Sequence, residues 1–287
     1  MRRIAFLTLH DPSGFVIDDE LAVLPLARRG IQVETIPWDR PGVDWCQYAL
    51  VLIRSTWDYH HNAEAFLRVL ETIEHAGVRL ENGSEIVRWN MQKSYLRDLA
   101  GRGVEIVPTF WRDSLAAGEL VPLFEELRSD EAVIKPVIGA NAQGAWRLDA
   151  ARARAFAPEI ESYFASRALM MQPFELGVVQ EGEYSMIYLN GQHSHTILKK
   201  PKQGDFRVQE EHGSVITLVE PEPALVEAGN AAIAAVGQKL LYARADFVRS
   251  DDAFRVMELE LVEPSLYLRI DPTAPDRFAD AIASLFA

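Results

Sequence analysis

One cysteine, Cys46, stands in a chain of 287 residues. A lone cysteine excludes an internal disulfide framework and a zinc site built on thiolates, and it suits a reducing compartment with a packing role for the side chain. Long apolar runs are missing too, so no segment is expected to span a bilayer. The short run after Met1-Arg2-Arg3 ends at His10-Asp11, lacking the length and cleavage site of a secretory signal. Lysine and arginine form no cluster, and the formal net charge is −13. Such a chain has few cations with which to displace counterions from a phosphate backbone or an anionic membrane. The expectation is a cytoplasmic protein with no nucleic-acid and no membrane partner. Internal repeats and low-complexity linkers are also absent. His60 and His61 have no third ligand at a zinc spacing, whereas His193 and His195 share one face of an expected strand.

Hydrophobic residues make up 48% of the chain, enough for a large core divided into two or three lobes. Ile4–Leu9, Ile31–Ile36 and Ala49–Ile53 have the composition of strands. Asp18–Arg29, stopped by Gly30, has helical spacing despite Pro25, and Asn62 caps an amphipathic helix over Ala63–His75. This βαβ rhythm predicts a small parallel α/β unit at the start. Helical periodicity returns over Ser84–Arg102, and Ala132–Pro136 is a short buried strand. Glu183–Leu189 and Gln192–Lys199, joined by Asn190-Gly191, predict a hairpin with a type I′ turn. A helix over Ala224–Lys239, two acidic strands and a final helix over Asp276–Phe286 follow.

Those acidic strands carry the most chemistry. Alternation places Glu258 and Glu260 on one face and Met257, Leu259 and Leu261 on the other. With Asp246 in the preceding strand they form a set of oxygen donors suited to Mg²⁺, which commonly arrives with substrate phosphates. The alternative is a solvated acidic edge. Lys135 lies inside an apolar strand followed by the small-residue loop Gly139–Gly144. Either it supplies positive charge to a phosphate cradled by that loop, or it extends outward from an edge strand. No Lys-Ser/Thr pair follows Gly144, so this is not a P-loop.

Taken in order, Asn90-Met91-Gln92-Lys93, Val133-Ile134-Lys135-Pro136, Met171-Gln172-Pro173-Phe174, Gly204-Asp205-Phe206-Arg207, Asp246 and Glu258-Leu259-Glu260 resemble the ATP-grasp superfamily. Within it the chain resembles glutathione synthetase and RimK-type carboxylate–amine ligases. Ile53-Arg54-Ser55-Thr56-Trp57-Asp58-Tyr59, Val87-Arg88-Trp89-Asn90 and Glu260-Leu261-Val262-Glu263-Pro264 are similar to the subgroup that includes the D-cycloserine ligase. The resemblance spans nearly the whole chain. It implies an α/β (α+β) ATP-grasp fold: an N-terminal α/β domain over 1–85, a small nucleotide lobe over 86–174 and a large lobe over 175–287, the two β-rich lobes clamping ATP.

The resemblance also implies roles. Lys93 and Lys135 would touch ATP, the backbone of Gln172-Pro173-Phe174 would recognise adenine, and Glu183 would be a polar anchor beside it. Gly139 and Gly144 would bound the phosphate loop. Lys199 and Arg207 would face the transferring phosphoryl group as catalytic residues. Asp246, Glu258 and Glu260 would hold Mg²⁺, two ions in all. Relatives often carry Asn at the position of Glu260, so either the site has an extra charge here or Glu263 shares the duty. Arg54, Ser55 and Asp58 follow a strand at the end where open α/β sheets collect ligands, and would suit a carboxylate and an amino group. A structural Arg–Asp pair is the alternative. The implied activity is ATP-dependent ligation of an amino-acid-like carboxylate to a nitrogen nucleophile, through an acyl phosphate. A kinase acting on a small molecule and a non-catalytic nucleotide-binding module are the alternatives, and a homodimer is compatible with the resemblance.

Overall fold

Continuous apolar strands at the start of the chain require cover on both faces, as parallel sheets receive. In the computed structural model, which describes residues 1–139 and 144–287, β1 (Arg2–Thr8), β2 (Ile31–Pro37), β3 (Leu50–Ser55) and β4 (Arg79–Glu81) form a parallel sheet in the order β2-β1-β3-β4. Alternate residues of β1 enter different cores. Ile4 and Phe6 pack with Leu26 and Phe278, while Ala5 and Leu7 pack with Trp38, Phe66 and Leu70. The expected helix over Asp18–Arg29 is a 3₁₀ turn at Asp19–Ala22 followed by an α-helix at Val23–Arg28. Pro25 therefore falls in a first turn, where its missing N–H costs little. The Asn62 cap forms as expected, its side chain accepting from the Ala65 N–H at 3.3 Å.

A second, antiparallel sheet contains β5 (Phe110–Arg112), β6 (Glu131–Pro136), β7 (Trp146–Asp149) and β8 (Leu169–Pro173), in the order β5-β8-β6-β7. Helices Leu120–Leu127 and Ala150–Phe164 bury Phe124, Ile160 and Phe164 against it. The third sheet holds β9 (Glu183–Leu189), β10 (Gln192–Lys200), β11 (Val215–Val219), β12 (Tyr242–Ser250) and β13 (Ala253–Glu260), in the order β11-β10-β9-β12-β13. At the hairpin turn both Asn190 and Gly191 have positive φ, which a type I′ turn requires. The helical stretch expected over Ser84–Arg102 is two helices, Ser84–Asn90 and Tyr95–Gly101. Lys93 lies in the break between them.

Besides the shift at Leu7/Thr8 between β1 and β3, which skips Arg54, two register shifts in the third sheet correct the alternation expected from sequence. One lies between Asp246 and Phe247, where Asp246 pairs with Glu258 and Phe247 with Val256. Met257 is the extra residue of this bulge, and it lines the cavity beside Glu258 instead of joining Leu259 and Leu261 in the core. The other lies between His193 and His195. It separates the two imidazoles: His193 bonds Thr196 Oγ1 at 2.8 Å, whereas buried His195 bonds the Leu266 carbonyl at 3.0 Å.

The last helix, Ala274–Ala283, sends Phe278 and Ile282 into a core shared by the first and third sheets. Asn82 joins those sheets as well. Its amide donates to the carbonyls of Tyr242 at 3.0 Å and Leu261 at 2.7 Å, and its oxygen accepts from the Leu241 N–H at 3.1 Å. Asn82→Ala would leave these buried groups unsatisfied. It is expected to cost about 3 kcal/mol and to lower the melting temperature by roughly 6–12 °C, measured by thermal denaturation; a change under about 1 °C would deny Asn82 this joining role.

Candidate active site

The second and third sheets face one cavity, to which Phe15, Val16, Trp57 and Tyr59 from outside the strands of the first sheet also contribute. Lys93, Lys135, Gln172, Pro173, Phe174, Glu183, Lys199, Arg207, Asp246, Glu258 and Glu260 all line it, together with Gly139. Gly144, at φ +67°, does not. An added Cβ there would collide with the Tyr163 ring, so glycine is needed for close approach. Residues 140–143 of the expected phosphate loop lie outside the described residues.

Strand pairing brings the charges together. The β9–β10 register sets Glu183 opposite Lys199, whose ammonium ion-pairs with Glu183 and lies 3.5 Å from Asp246 Oδ1. Asp246 also receives the Arg244 guanidinium at 3.1 Å and the Ser185 hydroxyl. Burial alone would raise the Asp246 pKa, but Arg244 and Lys199 outweigh it and hold the group at about 2. Glu260 accepts from Arg244, yet burial pushes its carboxyl up to about 7 against that attraction. Lys93 ion-pairs with Glu258. Burial of Lys93 opposes its charge, and Glu258 more than offsets this, so the lysine pKa rises. Lys135 differs, because burial prevails and its pKa falls.

Sequence reasoning left Arg244 without a role, although its place two residues before Asp246 puts both on one face of β12. Among the described residues no three His, Cys, Asp or Glu side chains form a ready metal cluster. Asp246, Glu258 and Glu260 fit a hard cation by donor type and by their placement on paired strands, and each is held by the protein's own lysine or arginine.

Two other expectations change in detail. Pro173 has no N–H, and the Phe174 N–H donates to the Glu131 carbonyl at 2.9 Å. Neither backbone can therefore donate to a base in this arrangement. Phe174 instead presents a ring covered by the Arg147 guanidinium, 3.6 Å from its centroid, with Phe206 edge-on at 6.1 Å. Gln172 donates to Thr109 Oγ1 at 2.9 Å. Arg207 lines the cavity but is clamped by Asp205 through contacts of 3.1 and 2.8 Å.

Arg54, Ser55 and Asp58 are not cavity residues. Arg54 is 2% exposed, bonds Asp19 and the Pro264 carbonyl at 3.0 Å each, and stacks on Tyr242. Ser55 bonds Thr8, and Asp58 accepts from the Trp38 indole at 2.8 Å. The same segment contributes Trp57 and Tyr59 to the cavity.

Over 95% of its length the chain is 31% identical to the cycloserine biosynthesis protein DcsG of Streptomyces lavendulae, of which it covers 96%. The chain belongs to the DcsG family of ATP-grasp ligases. The model of the D-cycloserine synthetase DcsG N-terminal domain matches residues 4–82. The crystal structure of D-cycloserine synthetase DcsG superposes with a TM-score of 0.86 at 27% identity, covering 99% of this chain and all of that one. The fold extends to the ATP-grasp ligase PsnB, solved with a precursor variant, Mg and ADP, with a TM-score of 0.67 and 15% identity over 100% and 99% of the two chains. Family membership makes this chain an ATP-dependent ligase of the carboxylate–amine class, with an α/β ATP-grasp fold. Among the described residues no helix is long and apolar enough to cross a membrane.

Lys135→Ala tests the ATP contact expected of this cavity-lining lysine. Removing a partly buried cation that no salt bridge holds among the described residues is expected to weaken ATP binding at least ~10-fold, or ~1.4 kcal/mol, in a calorimetric titration. Unchanged affinity would return Lys135 to a structural role.

Proposed function

We propose that this chain phosphorylates the carboxylate of a small amino-acid-like substrate with ATP and then joins the acyl group to a nitrogen nucleophile. The reading rests chiefly on one observation: Lys93, Lys135, Lys199 and Arg207 share a single cavity with Asp246, Glu258 and Glu260. A carboxylate oxygen attacks the γ-phosphorus, the bond from phosphorus to the β,γ-bridging oxygen breaks, and ADP leaves. The nitrogen lone pair then attacks the acyl carbon, the carbon–oxygen bond breaks, and phosphate departs carrying an oxygen from the substrate. The proton lost by nitrogen can leave with that phosphate.

Lys93 and Lys135 hold the phosphate chain, and Lys199 and Arg207 meet the charge that develops on the transferring group. Arg207 must first leave Asp205. Asp246, Glu258 and Glu260 would hold Mg²⁺, proposed as two ions, which when bound neutralises charge on the β- and γ-phosphoryl oxygens. Closure of the lobes would exclude water, which hydrolyses acyl phosphates. The relation to a D-cycloserine synthetase supports an internal nitrogen nucleophile, so that the new amide closes a ring. A cytoplasmic setting, where ATP is abundant, is part of the same reading.

Mg²⁺-dependent ADP release across amino acids, short peptides, and ureido and aminooxy amino acids, with hydroxylamine present as a trap, tests this directly. A hydroxamate or a ring-closed amide is expected with at least one carboxylate. ADP release accompanied by a stable phosphorylated product would make the enzyme a kinase instead.

A further inference from the structure

Beyond the acidic strands the cavity has another wall, built from Phe15, Trp57, Tyr59 and Glu263. The Trp57 indole donates to the Glu263 carbonyl at 2.9 Å, and Phe15 lies against Trp57 with ring centroids 5.1 Å apart. Burial, and next the charge of the nearby Glu263, raise the pKa of the Tyr59 hydroxyl. The neighbouring acids all have cations: Glu183 and Asp246 share Lys199, Glu258 has Lys93, and Glu260 has Arg244. Among the described residues no lysine or arginine lies within ion-pair distance of Glu263.

We propose that Glu263, walled by Trp57, Tyr59 and Phe15, receives a cationic nitrogen of the substrate, as the subsite that selects a free ammonium group. This inference rests on the ligase reading above and adds the residue that reads the substrate's charge. A partly buried acid with no countercation is costly to hold as an anion, and a ligand ammonium offsets that cost. Burial, with Glu260 and Glu258 nearby, accordingly raises the Glu263 pKa. The rings favour the same occupant, since aromatic faces attract organic cations. Mg²⁺ is a poor alternative at this wall, because it gives up its waters reluctantly and calls for an octahedron of oxygens that an indole and a phenyl ring do not supply. Glu263 also follows the end of β13 by three residues, outside the strand that carries Glu258 and Glu260.

The test is a calorimetric titration of the full chain, loaded with a non-hydrolysable ATP analogue and Mg²⁺, using O-ureidoserine and its Nα-acetyl derivative. The wild type is expected to bind the free amine at least tenfold more tightly than the acetylated compound. In Glu263→Gln, which keeps the side-chain volume, that preference should fall below twofold while affinity for the nucleotide and Mg²⁺ stays unchanged. Three results would overturn the proposal: a preference that survives in Glu263→Gln, a loss of Mg²⁺ affinity in that variant, or a wild type that binds neither compound. The ligase reading fails separately. Hydroxamate formation without charge discrimination sinks only the Glu263 subsite, whereas discrimination without any ADP release sinks only the ligase chemistry.

Discussion

Glu258→Gln is expected to reduce Mg²⁺-dependent ADP release by about 10³-fold or more, ~4 kcal/mol of transition-state stabilisation, while the protein stays folded. Glu258 is paired across the strands with Asp246 and ion-paired with Lys93. The glutamine amide keeps the volume and an oxygen that can still accept from Lys93, so packing survives. The change removes one negative charge where a divalent ion and a triphosphate would meet. Circular dichroism and a melting temperature within a few degrees of wild type should accompany the loss. Turnover within tenfold of wild type would remove Glu258 from the metal-binding role.

Lys199→Met should harm both activity and folding. Lys199 is 3% exposed, and its ammonium is the cation shared by Glu183 and Asp246. Those carboxylates raise its pKa despite burial, which would by itself lower it. Taking away one partner of a buried ion pair leaves uncompensated charge, at a cost of about 3–5 kcal/mol. Turnover should fall by at least about 10²-fold, because the same ammonium faces the transferring phosphoryl group in the proposed reaction. Adding Glu183→Gln to Lys199→Met separates the two effects. The double variant should recover part of the lost stability, since one orphaned charge is gone, and none of the activity. Recovery of both would assign Lys199 a purely structural role.

The sequence carried the fold where periodicity was strong and sheet cover was complete. β1 and β3 contain unbroken apolar runs, Ile4–Leu7 and Leu50–Ile53, and the Asn190-Gly191 turn specifies its own hairpin. β5 and β7, of three and four residues, are too short to show alternation. The two bulges were equally silent, because an extra residue in one strand leaves no compositional mark. Their consequences are large. Without the shift at His193/His195 the hairpin would set Lys199 opposite Gly182 instead of Glu183. The ordered motifs located Lys93, Lys135, Asp246, Glu258 and Glu260 at the cavity because each lies on a regular element or beside one. Arg54, Ser55 and Asp58, weighed as substrate residues or a structural Arg–Asp pair, lie outside the cavity lining, and a buried arginine satisfied by Asp19 and a carbonyl has the same local sequence as one waiting for a ligand. Only the tertiary packing of residues far apart in the chain distinguishes the two.

The proposed chemistry leaves a trace in the phosphate it releases. With a substrate from the panel labelled with ¹⁸O in its carboxylate, acyl phosphate formation requires each released phosphate to carry one labelled oxygen, counted by mass spectrometry, with the amide product retaining the other. Unlabelled phosphate with both labelled oxygens still in the product would contradict carboxylate activation, and with it the central account of this site.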